Sequence, residues 1–328
     1  MRLLITGGAG FIGSCFIRHI LNKYPGYQII NLDLLTYCGN LDNLSDIKNN
    51  PDYKFVKGDI RDKNLVKNIS LHTDCIINFA AESHVDNSIK NPEIFIETNV
   101  LGTLNLLQVA NETGIKKFIQ ISTDEVYGSL DKGYFHETTP LAPNSPYSVS
   151  KASADMLAMA YYKTFNLPVI ITRCSNNYGE YQYPEKLIPF FISKLLKNEK
   201  VPLYGNGSNV RDWIYVYDHC EAIDIVLHKG KIGEIYNIGS HNEKSNIEIA
   251  KFIINTMGKD DSYINYVADR LGHDKRYAIS NDKIKKQLNW QPKVDFETGL
   301  KHTIKWYLNN QKWIKNIENK KKNAKALV

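Results

Sequence analysis

The sequence lacks any long hydrophobic run, although 43% of its 328 residues are apolar. A helix that crosses a bilayer needs roughly 18–20 consecutive apolar residues, and no stretch approaches that length. The N-terminus also lacks the pattern of a signal peptide, since Met1 and Arg2 lead directly into a short apolar strand and a glycine cluster. We therefore expect a protein that neither crosses a membrane nor is exported.

Cysteine is scarce and scattered. The five cysteines are odd in number and none forms a Cys-x-x-Cys pair, so we predict no disulfide framework and no metal site. Reduced thiols in the cytoplasm are the simplest interpretation. The net charge of +6 owes much to a late lysine cluster at residues 320–322 and 325. Because no basic helix is interleaved with base-stacking aromatics, a solvated tail is a better explanation than a nucleic-acid partner.

The first half of the chain alternates short apolar runs with helical segments. Strands are predicted at residues 3–6, 27–33, 53–57, 75–79, 117–123 and 169–173, and helices at 11–23, 94–112 and 147–165. Near-continuous apolar strands between helices are typical of a parallel sheet covered on both faces. The prediction is an α/β protein with a Rossmann-type doubly wound parallel sheet, whose ligands bind at the carboxyl ends of the strands.

The character of the sequence changes after about residue 180. Prolines at 184, 189 and 202 and glycines at 205 and 207 indicate shorter, less regular elements. We predict a Rossmann domain over residues 1–180, to which segments of the second half return, and a smaller C-terminal α/β substrate lobe over residues 181–328.

A glycine-rich turn lies between the first predicted strand and the first predicted helix. Gly7, Gly10 and Gly13 allow a tight turn, close approach of the backbone to a pyrophosphate and close packing of the helix. The helix N-terminus, with Phe11 and Ile12 in its first turn, offers unpaired N–H groups to phosphates. A glycine triplet alone is a weak signal, but the strand–turn–helix context strengthens it.

Asp33 ends the second predicted strand, twenty residues after Gly13. Taken alone it would be a helix or turn cap. After the glycine turn, its carboxylate is placed to accept hydrogen bonds from an adenosine ribose and would repel a 2′-phosphate, so we predict NAD rather than NADP as the cofactor. Weaker candidates for cofactor contacts follow the third and fourth strands: Asp59, Ile60, Ala80 and Ala81.

Tyr147 and Lys151 lie one helical turn apart and share a helix face. A neighbouring ammonium favours the phenolate, so we expect Lys151 to lower the pKa of Tyr147 and make the tyrosine a base toward a hydroxyl. Thr123 ends a strand where it can hydrogen-bond the same hydroxyl. A helix tyrosine beside a surface lysine is the common alternative, and the glycine turn argues against it.

Two carboxyls, Asp124 and Glu125, follow Thr123 directly. Simple alcohol oxidation does not need them, so they indicate that protons are also removed from carbon and delivered to a departing oxygen. Such chemistry requires one carboxyl neutral and one ionised at the same pH. Without the neighbouring motifs, a pair of solvated loop acids would be the preferred interpretation.

The chain resembles the dTDP-glucose 4,6-dehydratase family of the extended short-chain dehydrogenases/reductases. The resemblance runs from Met1 to about Trp306, through the stretches GGAGFIG (7–13), LLTYCGNL (34–41), AAESHVDNSI (80–89), TNVLGT (98–103), STDEVYG (122–128), YSVSKAS (147–153), RCSNNYGEYQYPEKLIP (173–189), RDWIYVYDH (211–219) and DRLGHDKRYAI (269–279). The Asp-Glu pair and the later stretches are more specific than the glycine turn and the Tyr-x-x-x-Lys pair.

The resemblance implies a role for each group. Tyr147, assisted by Thr123 and Lys151, takes the proton of the sugar C4 hydroxyl while NAD takes the hydride. Glu125 then removes the C5 proton, and protonated Asp124 serves the leaving C6 hydroxyl. It also implies that Asn99 contacts the cofactor, that the substrate is dTDP-glucose, and that a homodimer forms through helices near residues 94–112 and 147–165.

A nucleotide sugar carries a diphosphate, so cations and amides are expected around it. The candidates for substrate binding are Ser83, His84, Asn176, Asn177, Lys186, Arg211, Arg270, His273 and Tyr277, with Thr123. The resemblance favours Asn177, Arg211 and Arg270, and Arg276 is a further candidate cation. A surface ion pair is the commoner role of any single arginine.

Two positions depart from the family pattern: Asn87 stands where the family usually has arginine, and Glu180 where it usually has proline. The nearest alternatives are a UDP-hexose 4-epimerase and a GDP-mannose 4,6-dehydratase, which Asp124-Glu125 and Asp33 respectively disfavour. A non-catalytic dinucleotide-binding sensor is the alternative from another class, and it is expected to have lost Thr123, Tyr147 or Lys151.

Overall fold

The computed structural model describes residues 1–269 and 274–326. Its centre is a seven-stranded sheet in which all pairs of strands are parallel. The strands of the chain are β1 (Arg2–Thr6), β2 (Gln28–Asp33), β3 (Tyr53–Lys57), β4 (Cys75–Asn78), β5 (Lys117–Thr123), β6 (Val169–Cys174), β7 (Asn176–Tyr178), β8 (Val201–Tyr204), β9 (Val210–Tyr215), β10 (Ile235–Ile238), β11 (Glu243–Ser245) and β12 (Ile264–Val267).

Helices cover both faces of this sheet and build most of the second lobe. They are α1 (Phe11–Lys23), α2 (Lys63–Ser70), α3 (Val85–Lys90), α4 (Glu93–Phe95), α5 (Thr103–Thr113), α6 (Pro146–Phe165), α7 (Leu187–Leu196), α8 (Val216–Lys229), α9 (Asn246–Thr256), α10 (Asp282–Leu288), α11 (Phe296–Asn309) and α12 (Gln311–Ala326). Short 3-10 turns lie at Leu41–Leu44, Asp124–Tyr127 and Asp261–Tyr263. The α/β class and the Rossmann-type sheet predicted from the sequence are confirmed.

The order of strands in the large sheet is β10-β6-β5-β4-β1-β2-β3. The order reverses between β1 and β4, which creates the crevice that binds ligands in doubly wound sheets. Strand β10 comes from the second half of the chain and pairs with β6. The boundary near residue 180 stays a prediction.

A second hydrophobic core lies in the C-terminal lobe. It contains Tyr178, Trp213, Phe296 and Tyr307 together with the apolar faces of α7, α9 and α11. A three-stranded sheet (β11-β9-β7) and a two-stranded sheet (β12-β8) complete this lobe. Strand β7 pairs with β9 shortly after β6 ends, so the chain passes directly from the large sheet into the lobe.

The helix predicted at residues 94–112 is interrupted. A π-helical segment, Ile96–Gly102, lies between α4 and α5. Gly102 packs closely against Ile60 there. A Cβ on this glycine would lie only 2.5 Å from the Ile60 Cδ1 atom, so a larger residue would require the Ile60 side chain to shift. Such π segments are frequent at functional sites, and this one turns Thr98 toward the crevice.

Among residues 1–269 and 274–326, no helix is both long and apolar enough to cross a bilayer. All five cysteines are free thiols, and four of them are buried.

Candidate active site

One cavity of about 310 Å³ lies at the carboxyl ends of β1, β4, β5 and β6. Most of the residues predicted to contact cofactor or substrate line it: Gly7, Gly10, Phe11, Ile12, Gly13, Asp33, Asp59, Ile60, Ala80, Ala81, Ser83, Thr123, Asp124, Glu125, Tyr147, Lys151, Asn176, Asn177 and Lys186. The strand ends bring these residues together because parallel strands end at the same edge of a sheet.

Asn99 does not line the cavity, and its contact with the cofactor stays a prediction. Its side chain is buried and fully engaged by the protein: Oδ1 accepts from Glu82 N at 2.8 Å, and Nδ2 donates to Glu82 O at 3.0 Å and to Ser150 Oγ at 2.8 Å. Asn99 therefore links the backbone of Glu82, in the segment after β4, to Ser150 of helix α6. Glu82 itself lines the cavity.

Five predicted substrate contacts need separate description. His84 lies at the N-terminal end of α3, outside the cavity lining. Arg211 and Tyr277 lie beyond the acid pair. Arg270 and His273 lie outside the described residues.

The glycine turn has the geometry that a dinucleotide requires. Gly7 has a φ of +69°, and a Cβ on it would lie 2.6 Å from Ala80 N. A Cβ on Gly13 would lie 2.5 Å from Gly7 O, so this residue must be glycine for α1 to begin against the turn. The N-terminus of α1 has no side-chain cap, which leaves its first N–H groups facing the cavity.

Asp33 is held rigidly at the end of β2. Its Oδ2 accepts from Ala9 N at 2.9 Å and its Oδ1 from Leu35 N at 2.8 Å. Burial raises the pKa of Asp33, and these two backbone hydrogen bonds oppose the rise. Each oxygen keeps a further lone pair toward the cavity, so the residue fits a ribose diol.

Helix α6 delivers Tyr147 and Lys151 to the cavity. Pro146 occupies its first turn, and Ser145 and Ser148 form a reciprocal capping box that fixes where the helix begins. Lys151 Nζ donates to Ile121 O at 2.6 Å, which ties the helix to β5 just before Thr123. The start of the helix is thereby fixed against the end of the strand.

The pKa of Tyr147 moves opposite to the direction expected from the Tyr-x-x-x-Lys spacing. Burial is the largest cause of the rise, followed by the charge of Glu125, while a hydrogen bond with Thr123 opposes it. Burial also lowers the pKa of Lys151, whose ammonium is directed to the carbonyl of Ile121. Burial therefore favours the neutral phenol of Tyr147.

Asp124 is a buried carboxyl with a pKa well above its ordinary value. Burial is the main cause, and the charges of Glu125 and Asp212 add to it, while Arg211 and Thr123 oppose it. Its Oδ1 accepts from Thr123 Oγ1 at 3.2 Å. Its Oδ2 is buried and has no hydrogen-bond partner in the described part of the chain. This environment favours the neutral acid.

We expect Asp124→Asn to be more stable than the parent protein at neutral pH. Asp124 keeps its proton in the folded parent protein. The free energy of unfolding of the parent therefore falls as pH rises from the unfolded pKa of about 3.9 to the raised folded pKa. Asparagine does not titrate, and the advantage of the variant should grow by up to about 1.4 kcal/mol per pH unit in that window.

Urea unfolding at several pH values measures this advantage. Asp131→Asn is the control, because the Asp131 side chain is 80% exposed. An advantage that stays constant with pH would show that Asp124 is ionised in the folded protein.

Arg211 and Tyr277 pack against each other outside the cavity lining. The Arg211 guanidinium lies 4.3 Å from the centroid of the Tyr277 ring and donates to Asp274 O at 2.9 Å. Burial raises the pKa of Tyr277, and the charge of Glu125 raises it further. These electrostatic contacts place both residues close to Asp124 and Glu125, although neither lines the cavity itself.

Lys186 and Asn177 are engaged by the protein as well as exposed to the cavity. Lys186 Nζ donates to Ser83 O at 2.7 Å. The amide of Asn177 meets His219 Nδ1 at 2.8 Å through its Oδ1 and donates to Ser175 O at 3.0 Å. Lys186 therefore links the start of α7 to the segment after β4, and Asn177 links β7 to helix α8. Arg276 pairs with Glu243 at 2.6 Å.

Sequence reasoning missed several residues of the cavity. They are Leu32, Leu34, Thr36, Cys38, Gly39, Gly58, Phe79, Glu82, Thr98, Ile121, Ser122, Cys174, Ser175, Tyr181, Gln182 and Tyr183. Cys174 ends β6 and Ser175 follows it, so the rule that located Asp33 and Thr123 would also have found them. Thr98 could not be found this way, because only the π segment turns it inward.

The two departures from the family pattern lie in different surroundings. Asn87 is exposed on α3. Glu180 is half-buried beside the cavity-lining Tyr181, and its Oε1 accepts from Tyr215 OH at 3.2 Å.

The Rossmann sheet, the glycine turn and the Thr-Tyr-Lys set define an extended short-chain dehydrogenase/reductase. A family model described as GDP-mannose 4,6 dehydratase matches residues 4–303. A dTDP-glucose 4,6-dehydratase of Xanthomonas campestris pv. campestris is 49% identical over 96% of this chain and 95% of its own. The chain belongs to the dTDP-glucose 4,6-dehydratase family, which confirms the resemblance drawn from its motifs.

Solved structures support the same family assignment. A dTDP-glucose 4,6-dehydratase of Streptomyces venezuelae, determined with NAD bound, superposes with a TM-score of 0.94 at 50% identity, over 95% of this chain and 98% of that one. A dTDP-glucose 4,6-dehydratase of Bacillus anthracis in complex with NAD gives 0.91 at 54% identity, over 97% and 99%.

Proposed function

We propose that this protein converts dTDP-glucose to dTDP-4-keto-6-deoxy-glucose in deoxysugar biosynthesis, with NAD as a cofactor that is regenerated in each cycle. The observation that carries the proposal is the acid pair. Asp124, buried with a raised pKa, and Glu125 lie in the same cavity as Thr123, Tyr147 and Lys151. An enzyme that only oxidises an alcohol has no use for a neutral buried carboxyl there.

The cavity fits NAD. The glycine turn leaves room for a pyrophosphate, and the anchored carboxylate of Asp33 suits a ribose diol and repels a 2′-phosphate. Phe11, Ile12, Asp59 and Ile60 line the same region, as do Ala80 and Ala81. When bound, NAD would supply the acceptor for the C4 hydride and the donor of hydride to C6, while Glu125 returns a proton to C5, so the cofactor shows no net change.

Tyr147 acts on the C4 hydroxyl of the sugar. The tyrosine takes the hydroxyl proton as the hydride leaves C4, and Thr123 holds the same oxygen from the strand end. Burial keeps the free phenol neutral, so the positive charges of Lys151 and of a nicotinamide ring are needed to favour the phenolate.

The acid pair carries out the elimination. The C4 ketone acidifies the C5 proton, which Glu125 removes as a general base. Asp124 gives its proton to the departing C6 hydroxyl, which leaves as water. The raised pKa of Asp124 and the nearby charge of Glu125 support this division, because two adjacent carboxyls in one buried site do not both ionise readily.

The nucleotide and its diphosphate occupy the C-terminal lobe in this proposal. We assign Arg211 to the phosphate oxygens, and the packing of its guanidinium on Tyr277 supports this role. Ser83, Asn176, Asn177 and Lys186 face the cavity and serve the sugar or the diphosphate.

Incubation of the purified protein with dTDP-glucose tests the proposal. We expect a product that has lost one water and carries a ketone at C4, detected by mass spectrometry and NMR. UDP-glucose and GDP-mannose are run in parallel. A product from either of them, with none from dTDP-glucose, would reassign the substrate, and a C4 epimer that retains its water would indicate an epimerase.

We also propose a homodimer that forms through α6 and the helix containing the π segment. These neighbouring helices expose apolar side chains: Leu101 is 50% exposed, Val149 42% and Met156 57%. Ile96 and Phe165 extend the same pair of helices with further exposed apolar area. A second copy of the chain is the occupant that matches two neighbouring helices of this kind, because the four helices then bury each other's apolar faces.

Met156→Glu is expected to convert the dimer to a monomer, since a charge would be buried at the centre of the contact. Light scattering coupled to gel filtration should give half the parental mass. Leu308→Glu is the control, because Leu308 is 41% exposed on α11 in the other lobe. A parental mass for Met156→Glu would place the contact elsewhere.

The free thiols support a reducing compartment for this enzyme, and we propose that it works in the cytoplasm.

A further inference from the structure

The C-terminal helix α12 reaches the glycine turn through a chain of hydrogen bonds. Trp313 is 7% exposed, and its Nε1 donates to Asn43 Oδ1 at 2.9 Å, although 270 positions separate the two residues. Asn43 is 1% exposed, and its Nδ2 donates to Ala9 O at 3.0 Å. Ala9 is the third residue of the glycine turn, so the carbonyl that Asn43 holds belongs to the cofactor loop itself.

The peptide groups of Ala9 are fixed from both sides. Ala9 O also accepts from Asn40 N at 3.0 Å, while Ala9 N donates to Asp33 Oδ2 at 2.9 Å. The orientation of this residue therefore couples the glycine turn to the carboxylate that is placed for the ribose. Asn40 caps the 3-10 turn Leu41–Leu44 and Asn43 lies within it, and neither asparagine lines the cavity.

A second, parallel link joins α12 to the cavity wall. The rings of Trp306 and Trp313 pack on Tyr181, with centroids 4.5 and 5.9 Å from it. Arg18 of helix α1 lies 4.5 Å from the Tyr181 centroid on another side and donates to the Asn43 carbonyl. Lys320 Nζ, further along α12, donates to Asn40 Oδ1 at 2.8 Å. The helix thus contacts the turn at both of its asparagines.

We propose that α12 positions the cofactor loop, with Trp313 and Asn43 as positioning residues that act on Ala9 without lining the cavity. The inference rests on the proposed function in that NAD is the ligand of the loop. Loss of the Trp313 N–H frees Asn43 to rotate, which lets the Ala9 peptide tilt and weakens the cradle for the pyrophosphate. The affinity for NAD then depends on a residue near the far end of the chain.

Trp313→Phe is the most selective variant. It keeps a six-membered aromatic ring beside Tyr181 and removes the five-membered ring that carries the N–H. We expect the dissociation constant for NAD+, measured by calorimetry without sugar, to rise about three- to tenfold, the range for one buried hydrogen bond. The turnover number at saturating NAD+ should stay at the parental value, because Trp313 touches no reacting atom.

Two further variants separate positioning from folding. Asn43→Ala should weaken NAD+ binding at least as much as Trp313→Phe, and the double variant should be no weaker than Asn43→Ala alone, because both act through one path. Trp290→Phe is the matched control: Trp290 is buried in the other core, and its Nε1 has no partner in the described part of the chain.

The outcomes are distinct. A parental protein that fails to bind NAD+ overturns the proposed function and this inference together. Normal NAD+ affinity in both Trp313→Phe and Asn43→Ala overturns the inference and leaves the proposed function intact. A lowered melting temperature with unchanged affinity has the same meaning, and so does an equal loss of affinity in Trp290→Phe.

Discussion

Glu125→Gln is expected to oxidise dTDP-glucose at C4 and to stop before water is lost. An amide cannot accept the C5 proton, and a positioned general base contributes about 10²- to 10⁴-fold to the rate. The rate of product formation should therefore fall at least about 100-fold. Reduced cofactor should accumulate on the enzyme during a single turnover, followed by its absorbance while the sugar is analysed by mass spectrometry.

The same change at an exposed site serves as control. Glu199 pairs with Lys194 at 2.6 Å on the surface, and Glu199→Gln should behave as the parent protein. Normal dehydration by Glu125→Gln would remove this residue from the elimination. A variant that neither oxidises nor dehydrates would assign Glu125 to substrate binding instead.

Exchange of the C5 proton in deuterated water distinguishes the roles of the two acids, the general base and the general acid. Asp124→Asn keeps the base that removes this proton and loses the acid that serves the leaving hydroxyl. It should therefore exchange C5 without releasing water, whereas Glu125→Gln should do neither. Exchange in Glu125→Gln with none in Asp124→Asn would reverse the assignment.

The sheet and most of the site were predictable because they follow from local patterns. Apolar strands that alternate with helices determine a doubly wound sheet, and residues just after such strands meet at its carboxyl edge. Asp33 and Thr123 were located by this reasoning. Tyr147 and Lys151 share a helix face by spacing, and the structure places both in the cavity.

The electrostatics of the site were not predictable in the same way. The spacing of Tyr147 and Lys151 gave the wrong direction for the pKa of the tyrosine, because the burial of the phenol depends on packing that no local pattern records. The hydrogen bonds between the Asn99 amide and the backbone of Glu82 were not predictable either, because they depend on the π segment.

Contacts between distant segments were beyond sequence reasoning altogether. Nothing in the spacing of Asn43 and Trp313 indicates that they meet, because the contact arises only when the C-terminal helix packs across the first βαβ unit. The return of β10 to the large sheet was expected in general terms. Its place beside β6 emerges only from the folded arrangement.

Arg173 and Asp155 form a buried ion pair behind the catalytic helix. Arg173 Nε donates to Asp155 Oδ2 at 2.9 Å, and the two side chains are 4% and 1% exposed. The guanidinium also donates to Tyr127 OH at 2.9 Å, and that hydroxyl donates to Asn237 Oδ1 at 2.8 Å. The network therefore joins α6, β6, β10 and the turn that carries the acid pair.

Arg173→Met is expected to lower the free energy of unfolding by about 3–5 kcal/mol, because it leaves Asp155 buried without its cation. The double variant Arg173→Met with Asp155→Leu should regain most of that loss, since apolar replacement of a buried pair is often neutral. Urea unfolding followed by circular dichroism measures both. A loss that persists in the double variant would assign the effect to the Tyr127 and Asn237 hydrogen bonds.

The pH dependence of the Arg173→Met variant provides an independent check on this cause. Burial already raises the pKa of Asp155 above its unfolded value, and Arg173 opposes that rise. Without the arginine the folded pKa climbs further, so the carboxyl folds with its proton and stability is lost as pH rises through that folded pKa. The loss of stability caused by Arg173→Met should therefore be small near pH ~4 and grow toward pH ~8. In the double variant with Asp155→Leu, the stability difference should no longer depend on pH. A penalty that is equal at both pH values would mean that lost packing around the guanidinium, and not the uncompensated charge, destabilises the fold.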